Sequence, residues 1–344
     1  MTKITDALTV GPFTLKNRLV LPPMATSKGQ NGFVTDDLCE YYAARSQAGI
    51  GLIITEHHFV LPNGQATLNQ VSVSRDEDIP GLRKLAQAIH QDGSKAVLQI
   101  NHAGSAAMPE LALAGKAIGP SAIANANPYF QPRYPKGVDM AIPNEMTHED
   151  IKTVVEAFRQ AARRAKEAGF DGVEIHSAHG YLFSQFYSPL MNHRTDEYTG
   201  KTIEGRTKIQ VETIKAIRQE VGPDFFISLR LGAIDDREGG SQASEAGEVA
   251  KIFEAAGINM ISISGGANAY LRQGHTEEGF FQDVSRIVKE AVSIPVLLTG
   301  NIRTKARAEA LLNDGACDLV GVGRPLLGDP QYVKELLDSI VSNS

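Results

Sequence analysis

The run Glu174-Ile175-His176-Ser177-Ala178-His179-Gly180-Tyr181 brings two histidines and a tyrosine together. Imidazoles can bind a metal or donate hydrogen bonds, and a phenol can deliver a proton. Three readings compete. As metal ligands the pair is weak: His-x-x-His is not the helical i,i+4 spacing of zinc hydrolases, and no third carboxylate ligand is specified. As satisfied core histidines they are plausible singly and less so as a cluster. As donors to a substrate oxygen, with Tyr181 as proton donor, they form a coherent site, and this reading is favoured.

Other residues add to the inventory. Arg230 closes the mostly apolar run Phe225-Phe226-Ile227-Ser228-Leu229, where an unpaired charge is costly. It needs either a structural Asp or Glu or an anionic or hydrogen-bonding ligand, and the sequence leaves both open. Gly300-Asn301 and Gly323-Arg324 follow two late apolar runs. Glycines let backbone N–H groups approach phosphate oxygens, and Arg324 can add a charge-assisted bond. Pro23-Met24, Glu56-His57, Gln99 and His102 stand at the ends of earlier runs. One of His57 and His58 is expected to face the site and the other the packing; His102 suggests no role. Cys39 and Cys317 read as small buried residues.

The elements that must position these groups follow a simple rhythm. Short β-branched runs cover 19–21, 52–55, 96–100, 172–175, 226–231, 260–264, 296–299 and 319–322. Most are continuously apolar, as parallel strands buried on both faces should be. Amphipathic helices are expected between them, including 203–220, 244–256, 283–291, 305–313 and 331–340. Leu82, Leu85, Ala86 and Ile89 form one apolar stripe, and Thr147…Asp150 reads as a capping box opening a long helix. Eight alternating units with right-handed crossovers predict an α/β fold, a TIM (β/α)8 barrel, over 1–344 as one domain. Catalytic groups of such barrels sit at the C-terminal strand ends, and phosphate sites often follow strands seven and eight. The rival open sheet suits eight strands less well and lacks its Gly-x-Gly-x-x-Gly fingerprint. An N-terminal hairpin at 9–15 could plug the barrel floor. A long loop after strand 3, residues 101–146, is expected to be functional or a lid.

Composition narrows the classes. The 344 residues are 42% apolar and 22% charged, as in a globular chain, and the net charge of −6 argues against nucleic acid as a partner. Two cysteines, neither in a Cys-x-x-Cys pair, argue against a disulfide framework or a cysteine-rich metal site. No apolar signal core or membrane-length apolar run stands out, so a cytoplasmic protein without membrane partners is expected.

The stretch 172–182, continuing through Gln185-Phe186, Ser188-Pro189, Asn192 and Arg194-Thr195-Asp196, resembles the signature of the old yellow enzyme family. So do Pro23-Met24, Gln99-Ile100-Asn101-His102-Ala103-Gly104 and Gly321-Val322-Gly323-Arg324-Pro325, in order along nearly the whole chain. The resemblance implies FMN at the barrel mouth. Pro23, Met24 and Ala25 would lie beside its ring, Gln99 at its pyrimidine edge and Arg230 near N1 and O2. Gly300, Asn301, Gly323 and Arg324 would hold its phosphate. His176 and His179 would bind the oxygen of an α,β-unsaturated carbonyl compound, and Tyr181 would protonate its α-carbon. NAD(P)H would be the reductant in a ping-pong cycle, which accounts for the missing dinucleotide motif. Homo-oligomers are compatible with this reading.

Three departures mark this chain. Ala25 stands where Thr or Cys often tunes the flavin. His57, counted among the cofactor-binding residues, replaces a small residue near it. The long loop after strand 3 is similar to the dienoyl-CoA reductase branch, but the iron–sulfur cysteines and further dinucleotide-binding region of that branch are missing, so an FMN-only, single-domain form is expected. Two rival readings remain: a metal-dependent barrel hydrolase or aldolase using His57, His176 and His179, and a non-catalytic flavin-binding protein.

Overall fold

The apolar runs become strands because β-branched side chains fit a pleated surface buried on both faces. The computed structural model describes residues 1–338. Its barrel strands are β1 (Leu19–Leu21), β2 (Leu52–Ile54), β3 (Lys95–Asn101), β4 (Gly172–Ser177), β5 (Phe226–Ile234), β6 (Met260–Gly265), β7 (Val296–Leu298) and β8 (Leu319–Gly321). Each pairs in parallel with its sequence neighbours; β8 pairs with β1 and β2 with β3, so the sheet closes on itself. A two-residue strand, His58–Phe59, adds to the end of β3. The chain is a TIM barrel, as expected.

The helices α1 (Asp36–Gln47), α2 (Ile79–His90), α3 (His148–Glu167), α4 (Ile203–Val221), α5 (Ala246–Ala256), α6 (Gln282–Ala291) and α7 (Lys305–Asn313) follow β1 to β7 in turn. Two short helices, Arg324–Gly328 and Tyr332–Leu337, follow β8; residues 339–340 of the expected 331–340 helix lie outside the described residues. The capping box opens α3: Thr147 Oγ1 accepts from the Asp150 N–H at 3.1 Å, and Asp150 Oδ2 accepts from the Thr147 N–H at 2.8 Å. Such a cap stabilises a helix by about 1 kcal/mol.

Strand period two sorts the interior into layers. Outward residues such as Leu98, Ile175, Leu229 and Ile263 pack under the helices. Inward residues change character along each strand. At the floor, Val97, Phe226 and Met260 meet Val10, Leu15 and Phe13 of an antiparallel hairpin, Leu8–Val10 with Phe13–Leu15. The hairpin therefore plugs the barrel, with the Phe13 ring 4.8 Å from Phe226. Burying Val10 and Leu15 there contributes roughly 1.5–3 kcal/mol each. One and two steps higher the interior is polar: Gln99, Glu174, Ser228 and Ser262, then His176, Arg230 and Ser264.

The segment after β3 folds into a small layer over the mouth. It contains Gly104–Ala106, Pro109–Leu113, Pro128–Arg133 and a short parallel pair, Ile118–Gly119 with Asn144–Glu145. Its own apolar cluster includes Ala106, Ala112, Phe130 and Tyr134, and also Tyr181 from the end of β4. The loop is thus tied directly to a candidate catalytic side chain.

Candidate active site

A cavity of about 420 Å3 opens at the C-terminal ends of the strands. All thirteen residues singled out in the sequence line it: Pro23, Met24, Ala25, His57, Gln99, His176, His179, Tyr181, Arg230, Gly300, Asn301, Gly323 and Arg324. His58 is instead fully buried, with Nδ1 2.7 Å from the Glu56 carbonyl. His102 does not line the cavity; its Nδ1 accepts from the Gly104 N–H at 3.0 Å, and its ring packs where a side chain on Gly64 would stand. Cys317 is buried as expected, and burial pushes its thiol up to about 12. Cys39 is only half-buried, because its helix turns that position partly toward solvent.

Backbone donors fix one key tautomer. The Ala178 N–H donates to His176 Nδ1 at 3.2 Å, so His176 carries its proton on Nε2. His179 stands in the left-handed region, φ 62°, which turns its ring back toward β6. Its Nε2 lies 2.7 Å from Ser264 Oγ, and Arg230 Nη2 lies 3.5 Å from the same oxygen. A guanidinium can only donate, so Ser264 Oγ accepts from Arg230 and anchors His179 Nε2 either by donating to it or by accepting from it through its second lone pair. The two rings meet edge to face at 5.0 Å, and the Tyr181 ring stands 5.0 Å from His176. Burial, then neighbouring positive groups including Arg230, holds both histidines well below their usual range. They are neutral imidazoles at pH 7. The nitrogens of His57, His176 and His179 do not gather closely enough to share one ion; among the described residues such a cluster forms only at His148, Asp196 and Glu197 on the surface.

Arg230 lies inside β5, not at its end: the strand continues through Leu231 and Gly232, paired to Ile263 and Ser264. It is 6% exposed, its Nε is buried without a partner, and among the described residues no carboxylate lies within 4.0 Å. Glu174, in the layer below, offsets its charge through space and keeps the burial-driven fall in its pKa partial. The open alternative is thereby resolved against a direct structural ion pair. Gln99 donates through Nε2 to Glu174 Oε1 at 2.9 Å, which leaves Gln99 Oε1 buried without a partner.

At the opposite end, Gly300 adopts φ 125°, a conformation open to glycine. A side chain at Gly323 would meet Met24 Sδ at 2.8 Å, so glycine there lets Met24 lie against the β8 turn. Asn301 Oδ1 accepts from Arg324 Nη2 at 3.0 Å, while its Nδ2 donates to the Thr276 carbonyl at 2.6 Å. Its amide is therefore occupied in holding Arg324 and the loop after β6.

Several lining residues were not singled out from sequence: Arg133, Tyr270, Phe280 and Thr299. Ser264, Glu174 and Gln70 orient the site from behind. Period-two reading of β4, β5 and β6 would have found Glu174 and Ser264, which fall two residues from His176 and Ser262. No sequence signal points to Arg133 or Tyr270, which sit in irregular segments.

A closed parallel barrel with neutral donors, a buried cation and a glycine-arginine cradle at one mouth has the features of a barrel-mouth site for a phosphate-bearing ligand. The chain belongs to the NADH:flavin oxidoreductase / NADH oxidase family, whose sequence profile matches residues 3–343. It is 35% identical to an NADPH dehydrogenase of Bacillus subtilis over 334 residues, 96% of this chain and 93% of that protein. It is 36% identical to an NADH oxidase of Thermoanaerobacter brockii over 332 residues, 95% of this chain. The chain spans only about half of that longer relative, 49%. The structure of the old yellow enzyme from Trypanosoma cruzi superposes with a TM-score of 0.84 at 26% identity, covering 97% of this chain and 91% of the other.

Membership of this family makes FMN the cofactor. The residues present fit that cofactor. The orphaned Gln99 Oε1 is an acceptor for a pyrimidine N–H, and the unpartnered Arg230 Nε is a donor and cation for an electron-rich ring edge. Arg324 supplies the charge a phosphate needs.

Proposed function

We propose that the chain is an ene-reductase that reduces the activated C=C bond of an α,β-unsaturated carbonyl compound at the expense of NAD(P)H. The observation that carries this reading is the convergence of the His176 Nε2–H and the neutral His179 imidazole with Tyr181 on one cavity wall. Two neutral imidazoles suit a carbonyl oxygen that gains negative charge, and they demand no proton themselves. Tyr181 then gives its hydroxyl proton to the α-carbon, so that one hydride and one proton complete the saturated product.

In this reading Pro23, Met24 and Ala25 flank the FMN ring, and His57 faces its edge. Gln99 and Arg230 bind its polar rim; Gly300, Asn301, Gly323 and Arg324 hold the phosphate, with Asn301 acting mainly through Arg324. Bound FMN supplies the two-electron relay between NAD(P)H and the acceptor. The lid after β3 packs Phe130 and Tyr134 around Tyr181, which keeps the phenol in place and limits water around it. Residues 1–344 act as one FMN-binding barrel. Among the described residues no helix is long and apolar enough to cross a membrane, and a cytoplasmic setting belongs to the same proposal. Product analysis tests it: incubation with NADPH and 2-cyclohexenone should yield cyclohexanone. Oxidation of NADPH with the enone recovered unchanged would defeat the reading.

A further inference from the structure

The carbonyl and the proton use His176, His179 and Tyr181. Two more donors on the same cavity wall have no part in that step. The first is His57. The Ala66 N–H donates to Gln70 Oε1 at 2.7 Å, which leaves Gln70 Nε2 to donate to His57 Nδ1 at 2.6 Å. His57 must therefore carry its proton on Nε2. Its ring stands 5.3 Å from Tyr181 and 6.0 Å from His176, and burial holds it neutral, with its pKa pushed down to about 3.

The second is Arg133, carried by the lid. Its guanidinium lies 4.6 Å over the Phe130 ring, and Phe130 packs on Tyr181 at 5.6 Å. Its hydrogen bond within the protein is a long one, Nη1 to the Ala66 carbonyl at 3.4 Å. Among the described residues no carboxylate lies within 4.0 Å of it, whereas Arg194, Arg206 and Arg272 each have one. An exposed arginine on a phenylalanine is ordinary. This one lines the substrate cavity without an anion, and it is held by the same residue, Ala66, whose N–H orients Gln70 and through it His57.

We propose that His57, from its place at the edge of the FMN ring, uses its Nε2–H together with Arg133 as a second oxygen-binding pair that selects α,β-unsaturated carbonyl compounds carrying a carboxylate. The inference rests on the ene-reductase reading and names its substrate class. A planar guanidinium on an aromatic platform loses little freedom when it pairs with a carboxylate, and a neutral imidazole donor beside it shares the anionic oxygens. His176 and His179 remain for the activating carbonyl. Nothing in the first site needs a cation at Arg133.

The test compares (E)-4-oxopent-2-enoate with its methyl ester, using the FMN-loaded full chain. The two acceptors share the enone and differ in the charge. We expect kcat/KM to favour the acid by about tenfold or more, and Arg133→Gln to bring the acid-to-ester ratio close to one. Arg133→Lys should restore part of it. Binding without turnover gives a second readout: calorimetric titration with the saturated 4-oxopentanoate should show about tenfold weaker binding in Arg133→Gln, with a much smaller change for its methyl ester. A ratio unchanged by Arg133→Gln, or a native preference for the ester, would overturn the proposal. So would slower flavin reduction by NADPH than by NADH in Arg133→Gln with the acid-to-ester ratio intact, which would assign Arg133 to the coenzyme's phosphate. If the ester and 2-cyclohexenone are reduced but the acid is not favoured, only this inference fails. If none of the three is reduced, the ene-reductase reading fails with it.

Discussion

Gln99 Nε2 donates to Glu174 Oε1 at 2.9 Å, and this bond decides which atom of the amide faces the cofactor cavity. Glu174 also accepts from Ser262 Oγ at 2.7 Å on its other oxygen, and Arg230 stands in the layer above. One buried carboxylate thus orients the amide and offsets the charge of the two residues assigned to the flavin rim. Burial raises the pKa of Glu174, against the pull of Arg230 and three hydrogen bonds. Glu174→Gln removes the charge and lets the Gln99 amide turn over. FMN should then bind about tenfold more weakly, measured by quenching of FMN fluorescence on titration. Affinity equal to the native protein would show that Gln99 is oriented by something else.

Tyr181→Phe isolates the proton. The ring keeps its contacts with His57, His176 and Phe130, so the lid should stay in place. Reoxidation of the reduced protein by 2-cyclohexenone should slow by about a hundredfold, with reduction by NADPH changed far less. Stopped-flow absorbance of the two halves separates them, and equal slowing of both would remove Tyr181 from the role of acid.

The buried histidines also set a pH dependence. Burial, the leading cause in each case, lowers His57 and His102 to about 3 and His58 to about 4, and places His176 and His179 well below 6.5. The unfolded chain therefore binds more protons than the native one as pH falls below about 6.5, and stability declines in that direction. Each such group contributes a slope of up to about 1.4 kcal/mol per pH unit. Glu56 and Glu174 oppose them: burial raises both, Glu56 to about 7, so the native state holds their protons and loses stability as pH rises from 4.5 through those values. Five groups outweigh two. Thermal unfolding with FMN absent should show Tm rising from pH 5 to 6.5 and levelling near 7. A flat or falling profile between pH 5 and 6.5 would mean that these rings are not held neutral.

The barrel was legible because its strands are continuous apolar runs and its functional residues cluster where those runs stop. His176, Gln99 and Gly323 could be placed from that rule alone. The end of β5 could not: Gly232 and Ala233 carry no β-branched signal, yet pairing to β6 extends the strand past Arg230. The division among His57, His58 and His102 was equally hidden, since it depends on how the chain turns after β2 and on the approach of Gly64 to His102. Arg133 reaches the cavity only because the lid folds onto Tyr181, a tertiary event with no periodicity behind it.

The most direct test of the central claim is the visible spectrum of the FMN-loaded protein under anaerobic conditions. Addition of NAD(P)H should bleach the flavin band, and addition of 2-cyclohexenone should then restore it in full. Bleaching that the enone fails to reverse, in a protein that oxygen does reoxidise, would contradict the assignment of His176, His179 and Tyr181 to C=C reduction.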